Sequence, residues 1–437
     1  SLRATVERAL EASPEVAAEL SKRQSAEARS DLARASRFLT EFDVRTAHSA
    51  APALDNPNET PTDRLYLDPD VRNDWDNIGM FNQIEVNALQ PIYTWGELGG
   101  NIRAAREAVA VESASVRDKR IDIAFRAAQS YYSLLLAEGL KRVAIDAGDV
   151  VARAKREINR LLEEGAPDVD DADLFQVLIT EQEFERRVVE VDERLITAEM
   201  ALRRQLFLPD HVRVEAQDEY LVPIDIELLG LEDYQRMALA NRPEIEQAAA
   251  GVRARDALLS VARSDYYPKL FAGGKYRLST APNRFRQPNP YISDRLFGSS
   301  LEAGVGVRLQ LNFAQTRAKV ERARAQRDEV AFQLEGLEQL VLFEVENEFR
   351  KLRIARAAME AQQEALRISK EWLQLESVNF DLDLGDTENL VRAVQSNLQL
   401  QAAEYQAVFD YNVAILRLFR SCGVLIDQIE SGMLVGR

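Results

Sequence analysis

The chain has 437 residues, with Asp+Glu 72 against Lys+Arg 55 and a formal net charge of −17. That balance argues against a nucleic-acid partner, whose binding needs a basic footprint, and an acidic lining would favour cations. A single cysteine and two histidines exclude a disulfide framework or a Cys/His zinc cluster within one chain, and the absence of any run of about 18 apolar residues excludes a membrane-spanning helix.

The sequence opens at Ser1 on a helical pattern with no basic, apolar leader, so a cytosolic protein or one whose signal peptide has been removed is expected. Residues about 1–36 read as helix, with Leu2, Val6, Ala9, Leu10, Val16 and Leu20 on one side and an interruption at Pro14. Proline suits the first turn of a new helix, where its missing N–H costs nothing. From Phe38 the period changes to two: Phe38, Thr40, Phe42, Val44 and Thr46 share one face, and Glu41, Asp43 and Arg45 the other. A loop rich in Pro, Asn and Asp is predicted from about Ser49 to Asn77. A second strand follows, with Met80, Ile84, Val86, Ala88 and Ile92 opposite Gln83, Glu85 and Asn87.

A helical tract covers about 97–163, where Ile102, Val109, Val116 and Ile123 recur at coiled-coil spacing. At roughly 1.5 Å per residue it is about 100 Å long. It ends at an acidic turn, Gly165 to Asp173, and returns as helix to about Leu206. A mixed linker near Phe207–Leu231 closes this half.

The second half repeats the first. Pro14 and Arg34 reappear as Pro243 and Arg263 with one offset (243 − 14 = 263 − 34 = 229), and the same order of elements follows. Helix is predicted over about 231–264 and a strand over about 269–279, with Leu270, Ala272, Tyr276 and Leu278 opposite Lys269, Lys275 and Arg277. After a loop over about 280–297 comes a strand with Leu301, Ala303, Val305, Val307, Leu309, Leu311 and Phe313 on one face. Ser300, Glu302, Arg308, Gln310 and Asn312 take its other face. A helical tract over about 314–382, a turn Leu384-Gly385-Asp386-Thr387-Glu388 and a helix to about Cys422 complete the copy. Two structural repeats result, 1–230 and 231–437, with β-hairpins at about 38–92 and 268–313 and helical hairpins at about 97–206 and 314–422.

Four strands of roughly ten residues, apolar on one face and polar on the other, match the transmembrane β-barrel signature. A soluble sandwich shows the same alternation. The aromatics favour the barrel: Phe38 and Trp95 in copy one, and Tyr266, Tyr267 and Phe313 in copy two, stand at one end of the strand pairs like an interfacial girdle. The plainer account has them packing on the following helices. The fold class read from these patterns is mainly α with a transmembrane β-barrel, internally duplicated, with long coiled-coil helices.

No catalytic, cofactor-binding or metal-binding set is recognised, and no cofactor is expected. Glu163-Glu164 and Asp170-Asp171 are adjacent in sequence on hydrophilic turns, and Gly99-Gly100 and Gly273-Gly274 lack a phosphate-loop context. Cys422, in Leu418-Phe419-Arg420-Ser421-Cys422-Gly423, reads as a small buried helix-end residue and not as a nucleophile.

Ser13-Pro14-Glu15 and Arg242-Pro243-Glu244 in the short helices, Tyr267-Pro268-Lys269-Leu270 entering a strand, and Gln90-Pro91-Ile92-Tyr93-Thr94-Trp95-Gly96 with its weaker copy Leu309-Gln310-Leu311-Asn312-Phe313-Ala314 together resemble the TolC family of outer-membrane efflux proteins. The first strand departs from the family pattern, since Phe38-Leu39 stands in place of Pro-Leu. The resemblance implies a homotrimer with four strands per chain in one twelve-stranded barrel and a periplasmic helical tunnel. It implies a passive, non-enzymatic duct in the outer membrane of a Gram-negative bacterium, serving a tripartite exporter of drugs, metals or proteins. The partners implied are a periplasmic adaptor (membrane fusion) protein, an inner-membrane transporter and outer-membrane lipid.

The family's tunnel closes at the hairpin tips, which makes Asp168, Asp170, Asp171, Asp173, Asp381, Asp383, Gly385, Asp386, Glu388, Asn389 and Arg392 the gate candidates. The family's two constriction carboxylates fall here on Asn389 and Arg392, whereas Asp173-Leu174 matches its Asp-Val. A simpler role for the first-tip aspartates is capping of the returning helix, where carboxylates contribute about 0.3–1 kcal/mol each. A soluble periplasmic coiled-coil scaffold or adaptor is the competing reading, although it has no use for strand pairs with apolar outer faces.

Overall fold

The computed structural model describes residues 1–55, 72–164, 171–284, 294–381 and 387–434. Two helices, α1 (Leu2–Ala12) and α2 (Pro14–Ala35), precede strands β1 (Glu41–Asp55) and β2 (Arg72–Tyr93) and helices α3 (Glu97–Glu164) and α4 (Asp171–Gln205). The order then recurs as α5 (Leu231–Asn241), α6 (Pro243–Ser264), β3 (Lys269–Thr280), β4 (Gly298–Arg308), α7 (Phe313–Asp381) and α8 (Thr387–Ser421), followed by α9 (Leu425–Glu430). Corresponding helices match in length: 11 and 11, 22 and 22, 68 and 69, 35 and 35 residues. The strands do not, at 15 and 22 residues in the first hairpin against 12 and 11 in the second.

Both helix breaks fall where the prolines predict, since Pro14 and Pro243 are the first residues of α2 and α6. Strand boundaries differ from expectation at several points, the first being that β1 begins at Glu41, so Phe38 and Thr40 precede it without strand pairing. β1 and β2 run well into the segment read as a loop over 49–77, because antiparallel pairing continues from Ser49↔Phe81 through Pro52↔Ile78 and, after an irregularity, to Asp55↔Arg72. Backbone pairing does not require the apolar alternation that sequence reading relies on. The last strand ends at Arg308, not Phe313, and Phe313 opens α7. β3 begins at Lys269, whose partner is Arg308, so Leu309 to Asn312 have no strand to pair with.

The residues divide into two compact units, each drawing on both halves of the chain. One comprises Ser1–Arg23, Ala110–Ala249 and Phe332–Arg437. Its core joins Leu2 of α1, Tyr131 and Leu134 of α3, Leu202 of α4, Tyr234 of α5, Leu352 of α7, and Ile415, Leu416 and Leu418 of α8, all fully buried. The linker belongs to this core, because Leu221 and Ile224 are buried. Asn412 holds it in place: the Ile224 N–H donates to Asn412 Oδ1 and Asn412 Nδ2 donates to the Val222 carbonyl, both at 2.9 Å. Tyr131 donates to Asp218 at 2.5 Å, and Tyr132 to the Leu434 carbonyl at 2.9 Å.

Cys422 is fully buried at the end of α8, and burial pushes its thiol up to about 12, so it carries no thiolate near neutral pH. Its neighbour Gly423 has φ +76. There Val424 N–H bonds to the Phe419 carbonyl and Gly423 N–H to the Arg420 carbonyl, at 3.1 and 3.0 Å, which is the Schellman closure of a helix.

The other unit comprises Gln24–Val109 and Ala250–Ala331 and holds the sheet, ordered β1-β2-β3-β4 with every neighbouring pair antiparallel. Here α3 and α6 approach closely at Gly100, where an added Cβ would fall 2.5 Å from Val261 Cγ2 and 2.9 Å from the Ala257 carbonyl. The glycine that lacked a phosphate-loop context therefore serves helix packing.

Candidate channel wall and hairpin tips

Register fixes which side chains share a face, because directly opposed residues in a ladder point the same way. Phe42, Ala88, Gly274 and Ala303 form one row; Val44, Val86, Tyr276 and Leu301 the next; Thr46, Ile84, Leu278 and Ser299 a third. Ala272 with Val305 and Leu270 with Val307 extend this apolar face towards the helices. Phe42, Val44, Leu301, Val305 and Val307 are more than half exposed on it. From Leu270 to Leu278 the face covers about 27 Å of strand at ~3.4 Å per residue, or roughly 20 Å of height at a barrel tilt of ~40°. That suits a hydrocarbon-facing band.

The opposite face is charged. Asp43, Asn87, Lys275 and Glu302 make one row, and Arg45, Glu85, Arg277 and Ser300 the next. Arg45 pairs with Asp43 at 2.8 Å. Glu85 receives Lys275 at 3.0 Å and Arg277 at 3.4 Å, which ties the first hairpin to the second across the β2–β3 seam. Positive and negative groups alternate, so this wall has no single sign.

β1 and β4 are the two edges of the sheet, and neither has a second strand partner among the described residues. Open edges carry unpaired N–H and C=O groups, which a hydrocarbon environment does not tolerate.

At the helix end of the strands the aromatics cluster. Trp95 stacks on Tyr267 with ring centroids 4.8 Å apart and meets Tyr93 edge-on at 4.9 Å. Its indole N–H donates to the Pro268 carbonyl at 2.8 Å. Trp95 has φ +53 and Gly96 φ +96, so the chain turns sharply there from β2 into α3. Of the residues read as a girdle, Phe38, Trp95, Tyr267 and Phe313 are exposed, and Tyr266 is half-buried. Tyr93, exposed in the same cluster, belongs with them although its strand register gave no separate signal. An adjoining ion network joins Lys269 to Glu97 and Asp265 at 2.8 and 2.9 Å, and Lys319 to Asp265 at 3.2 Å.

At the tips, Asp168, Asp170, Asp383, Gly385 and Asp386 lie outside the described residues. Asp171 is the exposed first residue of α4, Asp173 sits two positions further along its backbone, and Asp381 is the last residue of α7. Glu388 and Asn389 are exposed in the first turn of α8. Arg392, one turn on, pairs with Glu388 at 2.5 Å. The two helical hairpins share one register (313 − 97 = 387 − 171 = 216), which places Asp173 and Asn389 at equivalent positions, and likewise Gln176 and Arg392. Among the described residues no group of His, Cys, Asp and Glu is placed to hold a metal ion, and no helix is long and apolar enough to cross a membrane.

Residues 235–382 match the family model described as outer membrane efflux protein. A search of curated protein sequences returns no significant match. Among solved structures, the chain is similar to the MtrE outer membrane channel of Neisseria gonorrhoeae in its open state, with TM-score 0.75 and 13% identity over 97% of this chain and 89% of that one. The chain has the fold of an outer-membrane efflux channel. It is similar also to CmeC of Campylobacter jejuni (TM-score 0.71, 16% identity, 99% of this chain and 89% of that one). VceC of Vibrio cholerae gives TM-score 0.71 and 16% identity, over 97% of this chain and 96% of that one.

Proposed function

We propose that three copies of this chain close a twelve-stranded barrel in the outer membrane of a Gram-negative bacterium and serve as the passive exit duct of a tripartite efflux or type I secretion system. The observation that carries this reading is a four-stranded sheet that is apolar on one face, charged on the other and, among the described residues, unpaired at both edges. Only closure with further copies gives every edge group a partner while keeping the apolar face towards lipid. Each structural repeat, 1–230 and 231–437, then contributes one β-hairpin and one helical hairpin, with the tips facing the periplasm. A periplasmic adaptor and an inner-membrane transporter dock there and open the gate. The tip carboxylates, with Asn389 and Arg392 in place of the family's aspartates, set the ionic character of that entrance.

The test is edge cross-linking. In a Cys422→Ser background, paired cysteines in β1 and β4 are oxidised in native outer membranes, and a denaturing gel should show a ladder ending at the trimer. Purified protein should also form ion-conducting pores in planar bilayers. A chain that stays a monodisperse monomer in detergent-free buffer, without cross-links, overturns the reading.

A further inference from the structure

The second hairpin is shorter than the first, and the chain leaving it does not continue alongside β2. After Thr280 it turns, with the Arg284 N–H bonded to the Ala281 carbonyl at 3.0 Å. That turn lies against the first hairpin: Ala281, Ala51 and Phe81 are buried together, with Leu296 packed on them. Phe81 shares a face of β2 with Gln83 and Glu85 and opposes Ser49, and Ala51 opposes Gly79. The covered surface is therefore the polar face, not the apolar one.

Arg284 fastens the turn. Its side chain is only 5% exposed, and all three of its nitrogens donate hydrogen bonds. Nε and Nη2 donate to the two oxygens of Asp294 at 2.8 and 3.2 Å, and Nη1 donates to the Pro52 carbonyl at 2.7 Å and Asn73 Oδ1 at 3.0 Å. Pro52 and Asn73 belong to different strands of the first hairpin, so one guanidinium joins β1, β2 and both ends of the second hairpin's connection. Nearby, Asn283 donates to Asn77 at 3.0 Å and occupies the space over Gly79, where a Cβ would fall 2.5 Å from Asn283 Cγ. A charge buried this deeply is stable only when paired and hydrogen-bonded, and here Asp294 pairs it and each of its three nitrogens has an acceptor. An ordinary surface turn needs no such arrangement.

We infer that Arg284 is a latch that holds Ala281–Arg284 and Asp294–Leu296 inward across the polar face of β1–β2, so that each chain narrows the outer mouth of the pore. This rests on the channel reading, which makes the polar face the lumen. Any cargo leaving the duct passes three such latches, and their opening sets access between the lumen and the exterior.

The test uses the full chain in intact cells, in the Cys422→Ser background, with a membrane-impermeant maleimide. Phe81→Cys reports the surface beneath the latch, and Trp75→Cys, at a site 69% exposed, reports general access from outside. Arg284→Ala should raise the Phe81→Cys labelling rate at least about ten-fold, since removing one partner of a buried pair costs more than the 1.4 kcal/mol that a factor of ten represents. Trp75→Cys should react at the same rate in both backgrounds. Arg284→Lys, which keeps the charge and loses the fork, should fall between and serves if the alanine variant fails to assemble. Equal Phe81→Cys rates in all backgrounds, with Trp75→Cys reactive, overturn the latch alone. Failure of Trp75→Cys to react in cells while it reacts in detergent overturns the latch together with the channel reading.

Discussion

Gly423→Ala is expected to destabilise the helical unit by ~2–5 kcal/mol, from two costs that add. The first is conformational: a φ of +76 places an alanine in the left-handed region, at roughly 1–2 kcal/mol. The second is steric, because the new Cβ would lie 2.8 Å from the Asn241 carbonyl oxygen and 3.0 Å from the Arg242 nitrogen. Both are backbone atoms at the α5–α6 junction and cannot swing aside, so overpacking adds about 1–3 kcal/mol. Gly432 supplies the control, having φ +77 but nothing within 4 Å of an added Cβ; Gly432→Ala should show only the first cost. Detergent-solubilised variants are compared by the midpoint of heat-induced loss of helical circular dichroism. The midpoint of Gly423→Ala should lie clearly below that of Gly432→Ala. Coincident midpoints would refute the claim that the close approach of the two backbones demands glycine.

Burial raises the pKa of Glu404 above the ordinary glutamate value, against smaller opposing contributions from Gln363 and Lys370. The folded state therefore binds its proton more tightly, and stability falls as pH rises from the unfolded value of ~4.3 through the raised folded one. Glu404→Gln should raise the thermal midpoint at pH 7 and leave it unchanged at pH 3.5, and equal effects at both would refute the assignment. Asn412→Leu removes the clamp on the linker and leaves the buried Ile224 N–H unpaired, at about 1–3 kcal/mol, and the partly exposed Val222 carbonyl without its side-chain donor; limited proteolysis within 207–230 should accelerate, and an unchanged cleavage rate counts against the clamp. Arg392→Asp turns an ion pair with Glu388 into a like-charged i,i+4 pair, costing only ~0.4–1 kcal/mol of helix as one attraction is lost and one repulsion gained, but making each tip more negative. Planar-bilayer recordings should show a reversal potential shifted towards cation selectivity, and an unmoved potential removes Arg392 from the entrance.

Long helices were legible because period, length and punctuation agree: Pro14 and Pro243 start α2 and α6, and α3 and α7 end at Glu164 and Asp381, beside acidic segments that lie outside the described residues. Ile102, Val116 and Ile123 are buried as their spacing predicts, with Val109 half-buried. The two faces of the sheet were legible from alternation alone. Three features were not. The outer reaches of β1 and β2 are held by backbone pairing through Pro, Ala and Asn residues whose side chains carry no alternation. Leu309, Leu311 and Phe313 keep a period of two although no partner strand extends that far. The linker looked mixed because its burial depends on contacts far along the chain, such as those between Ile224 and Asn412, which local pattern cannot register. Of the candidate site, the exposed aromatics at the helix end of the strands could be found by type and position, whereas the Arg284 contacts required knowing that Pro52, Asn73 and Asp294 meet.

Equal helix lengths beside unequal strands imply different tolerances to insertion and deletion. One residue added within α3 or α7 would rotate every later side chain by about 100°, turning buried Ile or Leu to solvent and misaligning the return helix. Because the hairpin ends answer to no such helical phase, length change accumulates there: the repeat offset is 229 before the strands and 216 after them. The rotational phase of the helices is thus the quantity this architecture holds fixed, and the outer ends of the strands are where related chains are free to diverge in length.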